Sequence, residues 1–191
     1  MARGLGPEKN QSFGSRLTFV EPDKGGLPGA SVSIILRGEE NPMTLLIKRA
    51  EKVGDPWSGQ IAFPGGKARS GEATLKETAI RETGEEVGID LAISAEFLGY
   101  FGPFKTHTGT MAVTPSVFKL KEEVEVTPNR EVASHRWVEI KSLLAPRARS
   151  TLRIPFQGGE RDFPALRVED YVVWGLTYRI ISSLFGTESH S

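Results

Sequence analysis

Residues 81–88 read RETGEEVG: Glu82, Glu85 and Glu86 fall within five positions, just ahead of a glycine. Spacings of three and four bring side chains to one side of a helix. The sequence predicts a helix over 74–87, closed by Gly88 in the left-handed conformation common after a helix C-terminus. At that end the macrodipole opposes negative charge, and like charges so close repel. On a wheel advancing about 100° per residue, Glu86 falls about 40° to one side of Glu82 and Glu85 about 60° to the other. The trio therefore borders the apolar side formed by Leu75, Ala79, Thr83 and Val87. Carboxylates beside a packing face need a counter-charge. Arg81 is in reach of Glu77 or Glu85, and a divalent cation would serve the rest. Hard cations take oxygen ligands, and Mg²⁺ shares its sites with substrate phosphates. On these residues alone, a solvated acidic helix end stays open as the alternative.

Upstream lies FPGGKARSGE (63–72), a glycine-rich turn leading into the helix, with Lys67 and Arg69 available to phosphate oxygens. Gly65 and Gly66 allow the close backbone approach that a phosphate- or metal-cradling loop needs. A plain tight turn is the alternative.

The bulk numbers narrow the classes. The chain has 191 residues, 38% of them hydrophobic and 25% charged, which describes an ordinary globular protein of about one domain. Lys+Arg and Asp+Glu both number 24, so no global field draws it to nucleic acid or membrane. Without cysteine there are no disulfides, no thiolate catalysis and no Cys-based zinc site. No uncharged apolar run approaches the roughly 20 residues of a membrane span, and MARGLGPEKNQS lacks a signal peptide's apolar core. The expectation is a cytoplasmic protein, with a homodimer as the default assembly.

Along the chain, residues 1–28 read as a flexible N-terminal arm with one edge strand around 16–20, and 29–191 as a single domain. Residues 30–37 and 43–49 form a hairpin of two strands, and 61–63 a short strand halted by Pro64-Gly65-Gly66. Two further strands flank the polar loop KTHTG (105–109), another covers RWVEI (136–140), and KSLLA makes a helical turn. The tail, 171–185, is amphipathic at helical spacing through Val172, Leu176, Ile180 and Leu184. Trp174 is assigned to core packing; Trp57 either packs or stacks on an adenine. Strands outnumber helices without strict alternation, so the fold class is α/β in the broad sense (α+β), a mixed β-sheet flanked by helices.

Together, Gly66, Glu72 and the run Arg81-Glu82-Thr83-Gly84-Glu85-Glu86-Val87-Gly88-Ile89 resemble the Nudix box. One spacing departs: eight residues, not seven, separate Glu72 from Arg81, so Glu72 either reaches the metal or caps the helix start. The resemblance implies an α/β/α sandwich that hydrolyses a small-molecule nucleotide diphosphate with Mg²⁺ or Mn²⁺. It implies Glu85 and Glu86 as metal ligands, Glu82 as a ligand or the base, and Arg81 as the residue that orients them. A downstream Glu131 could serve as base, or be only an exposed loop residue. His107 in KTHTG could contact phosphate or act as a base, though loop histidines are mostly just solvated.

LLIKRAEKVGDPWSGQIAFPGG (45–66) resembles the signature of the coenzyme A diphosphatase group, through Leu45-Leu46, Arg49-Ala50, Gly59-Gln60 and Phe63-Pro64-Gly65-Gly66. Asp55 stands near the place of that signature's internal arginine. THTGTMAVTPSV (106–117) and WGLT (174–177) are similar to later parts of the same group. The implied substrate is coenzyme A or an acyl-CoA, with Lys48 and Arg49 at a strand end where they meet phosphate or are ordinary strand-end charges. The alternatives are ADP-ribose, dinucleoside polyphosphates, oxidised nucleoside triphosphates, or a non-catalytic Nudix-like binding module.

Overall fold

The run at 30–37 is buried on both faces, Ser31 and Ser33 included. In the computed structural model, which describes residues 13–26, 28–54, 57–156 and 159–186, it forms β1 (Gly29–Arg37). β1 turns antiparallel into β2 (Met43–Arg49), with Leu36 opposite Thr44. Two short strands follow, β3 (Ile61–Ala62) and β4 (Gly65–Lys67), then helices α1 (Leu75–Val87) and α2 (Leu91–Ser94). Next come β5 (Ala95–Tyr100), β6 (Phe104–Lys105), β7 (Ala112–Leu120), β8 (Val132–Glu139) and α3 (Ile140–Leu144). A second sheet of β9 (Arg149–Phe156), β10 (Gly159–Val168) and β11 (Tyr171–Trp174) leads into α4 (Gly175–Phe185).

The main sheet has eight strands in the order β3-β2-β1-β7-β5, with β4 on β1, β6 on β7 and β8 on β2. Only β1 and β7 run parallel among its pairs. Strand alternation divides the core: Ile35, Leu45, Ile47 and Phe118 meet Ala79, Val87 and Leu91 under α1 and α2. Ile34, Leu36, Leu46 and Val117 face the other way, onto Leu143, Val173, Ile180 and Leu184 of α3, β11 and α4. The result is the expected α/β/α layering of a mixed sheet between helices. Among the described residues, no helix is long and apolar enough to cross a membrane.

Several expectations change. Gly65–Lys67 is not merely a turn that halts a strand; it pairs with Ala30–Val32 of β1. The tail is a strand and then a helix, because Tyr171 and Val173 are buried on β11 by alternation and Gly175, at φ 62°, redirects the chain. Trp174 is half-buried beside Phe163, with ring centroids 5.7 Å apart, rather than in the core. The hairpin of β9 and β10 has no counterpart in the sequence reading. Around 16–20 there is a 3₁₀ turn, Phe13–Arg16, and a single bridge from Thr18 to Tyr100 instead of a strand. Part of the expected arm is therefore docked: Arg16 donates to the carbonyls of Ser183 and Leu184, and Glu21 accepts from Leu75 N–H at 2.7 Å. Residues 1–12 and Asp55 lie outside the described residues.

Candidate active site

Helix α1 is delimited by its own sequence. Thr74 accepts from Glu77 N–H at 3.2 Å, Glu77 accepts from Ala73 N–H at 2.8 Å, and Gly88 closes the far end at φ 72°. Beyond Gly88 the chain returns to cap the helix. Thr127 N–H donates to Val87 O at 2.8 Å, Asn129 N–H to Glu86 O at 2.9 Å, and Asn129 Nδ2 to Glu85 O at 2.7 Å. The terminal carbonyls that oppose the carboxylates are thus occupied, which eases the dipole conflict. Asn129 was not a sequence candidate; the only local signal is an asparagine after proline in a polar loop.

Thr83, on the packing side of α1, is fully buried and donates to Ser33 Oγ at 2.7 Å. Ser33 in turn donates to Ala79 O at 3.1 Å. This chain pins α1 to β1 and fixes the direction in which the acidic side chains leave the helix.

The three carboxylates, read from the sequence as one group, have unlike surroundings. Glu86 is 3% exposed and accepts from Gly65 N–H at 2.8 Å. Burial pushes its pKa up to about 7; the Gly65 bond works against that, the charges of Glu82 and Glu131 add to it, and Arg49 opposes it. Glu82 meets Arg81 Nη1 at 2.6 Å, and its carboxylate lies against Gly66, where a Cβ would come within 2.6 Å of it. Glu85 is outermost, held by both Nη atoms of Arg69 at 2.8 Å and by Arg81 at 3.2 Å.

Arg81 pairs with Glu72 (2.5 Å), Glu82 and Glu85, whereas Glu77 is taken by the helix cap. Glu72 also accepts from Thr78 Oγ1 and Arg69 N–H, both at 2.7 Å, and its bond to Arg81 leads in holding its pKa down to about 2. The longer spacing therefore leaves Glu72 at the start of the helix as an anchor for Arg81.

Beside these groups lies a cleft of about 240 Å³. Arg49, Trp57, Gly65, Gly66, Lys67 and Leu176 are among the residues that line it, and Trp57 is 44% exposed at its edge. The structure thus brings Arg49, Gly65, Gly66 and Lys67 together with the acidic helix. Glu131 acts on Glu86 through its charge and is anchored by its backbone to Asn129 Oδ1 at 2.7 Å. Lys48 points elsewhere, into a second cavity. His107 is exposed in a turn between Thr106 and Met111, which do line the cleft, while His107 itself does not.

As the side chains stand, no three carboxylate or imidazole groups among the described residues are arranged to hold a metal ion. The donor chemistry nonetheless fits a hard divalent cation: every candidate donor is a carboxylate oxygen, and the Arg69 that holds Glu85 is solvent-exposed and can swing away.

The fold and this box define a class, and the sequence comparisons identify it. The profile of the NUDIX domain matches residues 27–156. The uncharacterized Nudix hydrolase NudL of Yersinia enterocolitica is 32% identical over 179 residues, covering 90% of this chain and 89% of that protein. The chain belongs to the Nudix family and is a Nudix hydrolase. Enzymes of this family generally use divalent metal ions. Solved structures agree on the fold alone. A MutT/nudix family protein from Enterococcus faecalis superposes with a TM-score of 0.54 at 21% identity, covering 84% of this chain and 61% of that one. An Ap4A hydrolase binary complex from C. elegans gives 0.50 at 21% identity, covering 60% and 82%.

Proposed function

We propose that this enzyme hydrolyses the diphosphate linkage of a nucleoside diphosphate derivative, with coenzyme A or an acyl-CoA as the first candidate, using Mg²⁺ or Mn²⁺. The observation that carries the reading is the junction at Gly65-Gly66. One glycine donates its N–H to Glu86, the other lies against the Glu82 carboxylate, and both line the cleft. A phosphate chain in that cleft therefore lies beside the acidic helix.

Glu82, Glu85 and Glu86 would hold the cation, with Glu72 standing behind them because its oxygens already serve Arg81, Thr78 and Arg69. When bound, a divalent ion neutralises phosphate charge and makes a water more acidic. Arg81 fixes the directions of Glu82 and Glu85. Arg49 and Lys67 set positive charge along the cleft wall, where phosphate oxygens would lie. Glu131, whose carboxylate is near enough to act on Glu86, is the candidate to take a proton from the attacking water, with Glu82 as the other. Trp57 offers an exposed indole for an adenine.

The test is a product analysis by mass after incubation with coenzyme A, ADP-ribose, diadenosine polyphosphates and nucleoside triphosphates, with either metal. Release of 4′-phosphopantetheine and 3′,5′-ADP from coenzyme A is the expected result. Cleavage of ADP-ribose or a diadenosine polyphosphate alone would replace the substrate assignment. No turnover of any diphosphate would overturn the reading.

A further inference from the structure

The chain between β7 and β8 closes on the last turn of α1 through a side chain that faces two ways. Asn129 N–H donates to Glu86 O at 2.9 Å, and its Nδ2 donates to Glu85 O at 2.7 Å. The other end of the amide turns from the helix: Oδ1 accepts from Glu131 N–H at 2.7 Å. The partners fix which amide atom is which, since a carbonyl only accepts and a backbone N–H only donates. Glu131 is held on its far side too. Its carbonyl accepts from Ala50 N–H at 2.8 Å, and Val132, the next residue, pairs with Arg49 of β2, which lines the cleft.

Capping α1 needs only the bonds to Glu85 and Glu86. The bond to Glu131 satisfies no helix group; it ties the backbone of Glu131 to the turn that carries the acidic pair. Glu131 is exposed, so its carboxylate goes where that backbone puts it. We infer that Asn129 is a positioning residue for the hydrolysis: by bridging Glu85 O and Glu131 N–H, it holds the Glu131 carboxylate at a fixed reach from the acidic helix end, where the attacking water would lie. The inference rests on the assignment of Glu131 to proton transfer made above. A misplacement of about 1 Å in such a group costs about 100-fold in rate. A plain helix cap, by contrast, changes stability and leaves the rate per folded molecule as it was.

The test compares Asn129→Ala, Asn129→Ser, Glu131→Gln and the double variant Asn129→Ala/Glu131→Gln with wild type, on the full chain with Mg²⁺ and whichever of the diphosphates named above is cleaved fastest. A serine hydroxyl can accept from the N–H two residues on but is too short to reach Glu85 O. The expected result is a kcat lowered about 10- to 100-fold in Asn129→Ala, with KM within about threefold, and largely restored in Asn129→Ser although both variants melt alike. The double variant should be no slower than Glu131→Gln, because Asn129 acts through Glu131. Amide hydrogen exchange at residue 131, which needs no turnover, should speed up at least ~10-fold in Asn129→Ala and recover in Asn129→Ser. Additive losses in the double variant, equal losses in the alanine and serine variants, or exchange at residue 131 unchanged by Asn129→Ala would overturn the inference alone. A Glu131→Gln variant as fast as wild type would overturn the proton-transfer assignment and the inference with it.

Discussion

Replacing Glu86 by Gln should make the metal-free protein more stable and the enzyme nearly inactive. Glu86 is 3% exposed, and its pKa is raised from 4.5 to about 7. A carboxyl with a raised folded-state pKa binds its proton more tightly in the folded than in the unfolded chain. Its ionisation therefore erodes stability as pH climbs from 4.5 through about 7, and the loss levels off above that. The shift corresponds to about 3 kcal/mol at pH 8 and under about 1 kcal/mol at pH 5. Gln cannot ionise, yet its side-chain oxygen can still accept from Gly65 N–H, which bonds Glu86 at 2.8 Å. Urea unfolding of both proteins in chelator, at pH 5 and pH 8, reads the difference directly. The variant should gain by about 3 kcal/mol at pH 8 and little at pH 5, while turnover falls at least ~100-fold. Equal differences at the two pH values, or a wild type more stable at pH 8, would show that Glu86 carries no such burden.

Other perturbations probe the same architecture. Gly65→Ala places a Cβ 2.3 Å from Ser31 O at φ 151°, and should destabilise by more than about 2 kcal/mol in the same urea assay. Thr83→Val removes the buried bond to Ser33 and should lose about 1–2 kcal/mol, with a lower kcat and little change in KM if α1 turns on its bed. Arg69→Ala releases Glu85 from its two 2.8 Å contacts, and calorimetry should show tighter Mg²⁺ uptake than in wild type.

Much of the site was legible because its signals are local. Thr74 and Gly88 mark the ends of α1, and the run RETGEEVG places the acidic trio along it, although the burial of Glu86 apart from the others emerged only in the fold. What stayed hidden depends on partners distant in sequence. Arg69 finds Glu85 only because β4 pairs with β1 beneath α1. Asn129 reaches the helix end only because the chain between β7 and β8 passes over it. A threonine at position 83, among the apolar residues of the packing side, is explained only once Ser33 is seen opposite it. In the tail, four-residue spacing through Val172 imitated a helix, whereas Tyr171 and Val173 were following the two-residue rule of a strand. The hairpin of β9 and β10 was obscured by Pro155 and Pro164 and by charges such as Arg153 and Asp162, which face one another across the strands at 2.7 Å.

The most direct measurement is titration calorimetry with Mg²⁺ and Mn²⁺ on the wild type and on the Glu82→Gln and Glu86→Gln variants. Uptake by the wild type that weakens more than ~10-fold in each variant is the result expected of oxygen donors on α1. Uptake of equal strength in all three proteins, or none in the wild type, would contradict a cation-binding role for the acidic helix.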